Sequence, residues 1–191
     1  MTTATMPAPP APAGLLTAEQ FAAMPDNGRI TELVKGVVIE MPPPSALHCY
    51  VCLNVGGELR NYVRARDLGR AMSNDMGVVT ERDPDTVRGP DVAYFSYETL
   101  ARDADLHGYP DVAPDLVFEI RSPSDRTRAL MAKVVEYLDA GVKVVCIVDP
   151  EKQTVSVHTP DEFAHVLTVA DELTLPEVFA DFRVPVKVFF V

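Results

Sequence analysis

The sequence has no tryptophan, only three cysteines, and aromatic residues at just 7%. Basic residues are also scarce: 17 Lys and Arg against 28 Asp and Glu, a formal net charge of −11. No unbroken apolar run approaches the ~18 residues of a membrane-spanning helix. Each shortage excludes something. The missing apolar run leaves a soluble chain as the expectation. The acidic balance argues against a broad basic surface and against tight, sequence-blind capture of phosphates, although clustered metal-binding carboxylates would themselves add negative charge. The lack of Trp removes the aromatic platforms on which sugars stack, which disfavours a glycosidase using Glu32 and Glu119 as its acid/base pair. Cys49 and Cys52 form a Cys-x-x-Cys, but a structural zinc site needs two more ligands at suitable spacing. Cys146 lies inside the apolar run Val144–Val148, and His107, His158 and His165 are scattered. Spaced i, i+3 on a helix, Cys49 and Cys52 read as small apolar residues on one face.

What is present is ordinary globular material. The 191 residues, 47% hydrophobic, suffice for one core. Residues 1–15 carry no charged side chain and are rich in Ala and Pro, which predicts a disordered tail. That stretch lacks the basic start and apolar centre of a signal peptide, so the cytoplasm is the expected compartment, with a single domain over residues 16–191.

Thr17, followed by Glu19 and Gln20, predicts a short helix over Leu16–Met24. Ile30–Val34 and Val37–Met41 flank Lys35-Gly36, a two-residue hairpin signal. After the stiff Pro42-Pro43-Pro44, Ser45 is placed to cap a helix on which Leu47, Val51, Val55, Leu59 and Val63 recur every four residues to an end near Gly69. Gly56-Gly57 interrupts that helix, and a close backbone contact is expected there. Arg60, Arg64 and Arg66, with Arg70 just beyond, make its last part basic: a solvated face or one that meets phosphates. Ala71–Thr80 and Val92–Phe95 read as strands around a polar loop at Glu81–Gly89, which puts Asp91 at the mouth of the second. Ser96–Pro110 reads as a helix fragment and loop.

Leu116–Ile120 has the composition of a buried central strand, interrupted by Glu119 near its C-terminal end. A buried carboxylate needs a cation, a metal or hydrogen bonds to offset its desolvation; Arg121 or Arg126 would be a purely structural partner. A helix over Arg126–Ala140 follows, capped by Ser124 or Asp125 and stopped by Gly141. Lys133 and Tyr137 share the stripe of Leu130, Val134 and Leu138, an unusual place for a lysine unless its stem snorkels into a polar cleft. With Val142–Val148 as the next strand, this is a βαβ unit whose strands run parallel. Beyond Asp149-Pro150 the pattern is antiparallel β, ending in the apolar segment Val184–Val191.

Several motifs resemble one family in order and spacing: Glu-Leu-Val-Lys-Gly at 32–36; Met41-Pro42-Pro43-Pro44-Ser45 with His48; Arg88-Gly89-Pro90-Asp91; Pro114-Asp115-Leu116-Val117-Phe118-Glu119 with Ser122-Pro123-Ser124-Asp125; Lys133-x-x-x-Tyr137; and Cys146-Ile147-Val148-Asp149-Pro150. They resemble the restriction-endonuclease-like proteins of the PD-(D/E)xK nuclease superfamily over roughly residues 16–191. The resemblance implies an α/β (α+β) fold, a mixed sheet flanked by helices with a C-terminal antiparallel β extension. It implies that Asp91 and Glu119 are paired metal ligands for Mg²⁺, with Mn²⁺ able to substitute, and that Glu32 is an additional acid. The superfamily's usual lysine position is held here by Arg121; Lys133 looks like that lysine displaced onto the next helix. His48, Arg121 and Tyr137 are accessory candidates, and Arg60 and Arg64 candidate nucleic-acid contacts. The implied activity is metal-dependent phosphodiester hydrolysis in DNA by a homodimer, with a catalytically inactive binding or regulatory domain of the same fold as the alternative. The apolar chain end is the sequence's own ground for a dimer.

Overall fold

In the computed structural model, which describes residues 14–123 and 125–191, a six-stranded mixed sheet carries the architecture. The expected tail, except Gly14 and Leu15, lies outside the described residues, as does the capping role suggested for Ser124.

The strands are β1 Thr31–Val34, β2 Val37–Glu40, β3 Gly69–Ser73, β4 Val78–Glu81, β5 Thr86–Arg88, β6 Val92–Ser96, β7 Leu116–Ile120, β8 Val144–Asp149, β9 Thr154–His158, β10 His165–Thr168, β11 Glu172–Thr174 and β12 Arg183–Pro185. The α-helices are α1 Ala18–Ala22, α2 Ala46–Arg66 and α3 Thr127–Asp139. The large sheet runs β10-β9-β8-β7-β6-β3, with only β7 and β8 parallel, joined by α3. A second sheet runs β2-β1-β5-β4, and β11 pairs with β12.

Every residue of β7 and β8 is buried because both faces are covered, which is why those segments read as continuous apolar runs. On one face Val51, Val55, Leu59 and Val63 of α2 pack on Val92, Leu116, Phe118 and Cys146. On the other, Leu130, Val134 and Tyr137 of α3 pack on Val117, Val145 and Ile147. Each fully buried Val or Leu contributes about 1.5–3 kcal/mol relative to an exposed one.

Local signals explain most boundaries. Thr17 and Gln20 form a reciprocal capping box on α1. Lys35 and Gly36 both take positive φ, 50° and 76°, the geometry of a tight hairpin turn. Ser45 accepts the His48 amide and starts α2.

Other expectations are corrected. Ala71–Thr80 is two strands in two sheets, because Asn74 and Asp75 turn left-handed between them at φ 71° and 56°; Asn and Asp tolerate that region best among residues with a Cβ. The polar loop Glu81–Gly89 contains the buried strand β5. Ser96–Pro110 forms turns, not helix. Asp125 does not cap α3: its carboxylate accepts the Ser122 amide at 2.7 Å, and the cap position is Arg126, without a side-chain hydrogen bond. Leu47 is exposed. No close contact explains the glycine pair: a Cβ on Gly56 would meet Val92 at an ordinary 3.6 Å, and one on Gly57 nothing within 4 Å. The apolar end folds back on its own core, with Val184, Val186 and Phe189 buried and Asn54 donating to the Phe189 carbonyl at 3.1 Å. The sequence's ground for a dimer is thereby removed.

Asp115, at the N-terminal end of β7, is a structural acid. It is 2% exposed and accepts from the Ser96 amide at 2.7 Å and from Thr99 at 2.9 Å, with Lys143 Nζ 2.7 Å away. Against burial, which pushes its carboxyl up, Lys143 and these donors hold it below the usual range. Replacing Asp115 with Ala is expected to cost about 1–3 kcal/mol in urea unfolding at pH 7. Because the folded pKa is the lower one, that stabilisation is present above pH 3.8 and is lost as pH falls through the folded value. An unchanged urea midpoint at pH 7 would contradict this role.

Candidate active site

Antiparallel pairing of β6 with β7 places Val92 opposite Phe118, so Asp91, one residue earlier, falls beside Glu119. Both acids follow the alternation that faces α3. Asp91 is fixed at both oxygens: Oδ2 accepts the Ile120 amide at 2.6 Å, and Oδ1 lies 2.8 Å from His48 Nε2. The other ring nitrogen of His48 is 3.2 Å from Ser122 Oγ. The hydrogen bond to Asp91 raises the His48 pKa, so the protonated ring, a donor at both nitrogens, is favoured.

Glu119 is 5% exposed and accepts the Tyr137 hydroxyl at 2.8 Å. Lys133 Nζ lies 3.7 Å from its other oxygen and 2.7 Å from Glu32 Oε1. Burial pushes the Glu119 carboxyl up to about 7, with Lys133 pulling against it and Asp91 adding to it. Glu32, from β1, is matched differently: its second oxygen is 2.7 Å from Arg88 Nη1. Against burial, Lys133 and then Arg88 hold the Glu32 carboxyl below its usual value. Arg88 is also forked onto Glu136 of α3, at 2.6 and 2.9 Å. The Glu119 and Glu32 charges outweigh burial at Lys133 and hold its ammonium above the ordinary lysine value.

These groups surround a cleft of about 270 Å³ lined by Glu32, His48, Asp75, Asp91, Glu119 and Lys133. The fold thus brings together six residues proposed from sequence: Glu32, His48, Asp91, Glu119, Lys133 and Tyr137. Arg121 is turned away onto Asp149 at 3.1 Å and Thr127 at 3.3 Å. Arg60 and Arg64 lie on the exposed side of α2, outside this cleft. Neither Arg121 nor Arg126 is the partner of Glu119; Tyr137 and Lys133 are. Sequence reasoning gave no role to Arg88, Ser122, Asp75 or Glu136. Arg88 lies within a quoted motif, but its partners belong to β1 and α3, invisible to spacing.

The donor set fits a hard divalent cation. Asp91 and Glu119 come from neighbouring positions on paired strands and line one cleft, and burial leaves the Glu119 charge undercompensated despite Lys133. Among the described residues no group of three or more His, Cys, Asp or Glu side chains is gathered to hold a metal. Two carboxylates with water completing the shell suit Mg²⁺; a closed tetrahedral zinc site needs four protein ligands. Cys49 is exposed, and Cys52 points its thiol at the Asp91 carbonyl, 3.6 Å away.

Helices on both faces of a mixed sheet, with two acids at neighbouring strand ends, define an α/β protein of nuclease-like fold. The crystal structure of a protein from Anabaena variabilis ATCC 29413, described as a "putative nuclease belonging to DUF820", superposes with a TM-score of 0.80 at 21% identity, covering 92% of this chain and 97% of that one. The chain belongs to the Uma2 family, whose model, described as "Putative restriction endonuclease", matches residues 18–187. No curated protein matches the sequence. No helix among the described residues is long and apolar enough to cross a membrane.

Proposed function

We propose that the protein is a metal-dependent endonuclease that hydrolyses phosphodiester bonds in DNA. The observation that carries this reading is the convergence in one cleft of Asp91, just before β6, Glu119 of β7 and Lys133 of α3. Asp91 and Glu119 would hold Mg²⁺, or Mn²⁺ in its place, which supplies a Lewis acid for the phosphoryl oxygen and lowers the pKa of a water. Tyr137 orients Glu119 through its hydroxyl, and the Ile120 amide orients Asp91. Lys133, held protonated, offers a positive charge to the anionic transition state. Glu32, itself fixed by Arg88, holds Lys133 in place rather than touching the bond to be cut.

The test is paired. Calorimetric titration with Mn²⁺ is expected to show a site that Asp91→Ala and Glu119→Ala each abolish. Circular DNA, offered both single-stranded and as duplex plasmid, is expected to be cut in at least one form by wild type with Mg²⁺ or Mn²⁺, but in neither form by either variant. Equal Mn²⁺ affinity in all three proteins would refute the ligand assignment. Metal binding without cleavage would favour the inactive-domain reading, which the contacts of Lys133 with Glu32 and His48 with Asp91 support.

A further inference from the structure

Beside the acidic cleft lies a groove of about 440 Å³ that this chemistry leaves unused. His48, Asp75 and Asp91 line both spaces. The groove follows α2 and β3, and at Arg60, Ala71 and Met72 it passes into a hollow of about 410 Å³ bounded by Arg64 and Tyr97. One trough therefore leads away from the paired acids along α2.

Three features describe what would occupy it. The walls are mostly apolar, with Leu53, Met72 and Val92 among them. The glycine pair leaves bare helix backbone in the trough wall, and no protein neighbour requires it. Each of those glycines costs the helix about 1 kcal/mol relative to Ala, so a space kept open for something else is a physical reason for them. Finally, Arg60 and Arg64 are exposed and have no ion-pair partner among the described residues. Nearby, Arg66 is engaged by Asp181, Arg102 by Asp67, and Arg70 by the Leu100 and Ala101 carbonyls.

We infer that the trough binds a single strand of DNA running to the bond held at Asp91 and Glu119, an inference that rests on the nuclease reading. Phosphates lie on Arg60 and Arg64, and base faces lie against the apolar wall where Gly57 leaves room. A duplex presents phosphates on both strands and calls for a wide basic face, which a chain of net charge −11 does not offer. A single strand brings its own apolar base surfaces and needs fewer cations. The choice of DNA over RNA comes from the nuclease reading, since Ser73 and Asn74 also line the trough and could meet a 2′-hydroxyl.

The test is fluorescence anisotropy of a labelled DNA single strand of about 12 nucleotides, within the usual site-size range, with the full chain in EDTA so that binding is read without cleavage. Gly57→Leu fills the trough while replacing glycine with a better helix former, so the fold is kept, which its melting curve checks. It is expected to weaken binding at least tenfold. Arg60→Gln and Arg64→Gln are each expected to weaken it about threefold or more and to reduce the salt slope by about 0.7. The same sequence as duplex or as RNA is expected to bind at least tenfold more weakly. Absent binding by wild type, unchanged affinity in Gly57→Leu, or duplex or RNA bound as tightly as the single strand would each overturn the proposal. Groove-dependent binding without cleavage under any metal removes the nuclease reading and keeps the groove. Metal-dependent cleavage indifferent to Gly57→Leu removes the groove and keeps the nuclease.

Discussion

At pH 8, without divalent cations, Glu119→Gln is expected to stabilise the protein by on the order of 3 kcal/mol. Burial pushes the Glu119 carboxyl up from the ordinary 4.5 to about 7, outweighing the pull of Lys133. A raised carboxyl holds its proton more tightly when folded. It therefore contributes stability below about pH 4.5, and that contribution is lost as pH rises through about 7. Gln carries no charge to desolvate, and its amide oxygen still accepts the Tyr137 hydroxyl. Urea unfolding should then show the two proteins alike at pH 4 and the variant ahead at pH 8. For a chain of this length each kcal/mol moves the melting point by about 2–4 °C. Saturating Mn²⁺ is expected to reverse the order, since ligand binding stabilises only the protein that binds. A variant less stable than wild type at pH 8 would mean that Glu119 is instead a structural ion-pair partner of Lys133.

The second large effect concerns Lys133. Lys133→Met is expected to lower metal-dependent cleavage by about 10²–10³, the loss seen when one group that stabilises transition-state charge is removed, while Mn²⁺ still binds. Sequence alone suggests that Met in an apolar stripe would leave stability unchanged or improve it. The structure changes that expectation. Lys133 is one of two cations on the buried Glu32, and removing it leaves Arg88 to neutralise that carboxylate alone. A loss of roughly 1–3 kcal/mol is therefore expected as well. Lys133→Gln retains a donor for Glu32 without the charge; it should lose cleavage while melting closer to wild type than Lys133→Met does. Arg121→Met is the matched control and is expected to cleave normally, because its guanidinium is committed to Asp149 and Thr127. Full activity in Lys133→Gln with a large loss in Arg121→Met would exchange the two roles.

Much of this was legible in sequence because it is local. A continuous apolar run broken by one acid identifies β7 and Glu119, since a strand buried on both faces has no room for polar residues except where one is needed. Period-four spacing locates α2, and Thr17 and Ser45 mark helix starts because their side chains bond amides three residues on. The lysine on the α3 stripe stood out as misplaced in an apolar face, and both it and Tyr137 on the same stripe reach Glu119. Only tertiary structure decided the rest. Arg88 could not be assigned a role from its neighbours, because its partners Glu32 and Glu136 lie 56 and 48 residues away. Ala71–Thr80 kept its strand composition across a left-handed break that sends its halves into different sheets. The apolar end resembled a pairing surface, yet the buried face of α2 was there to receive it. Arg121 occupies the position where a lysine is usual, but the direction of its side chain, toward Asp149 and away from the cleft, depends on how β8 is placed beside β7. Spacing along a chain determines which residues share a face; which face meets which is determined by packing between segments far apart in sequence.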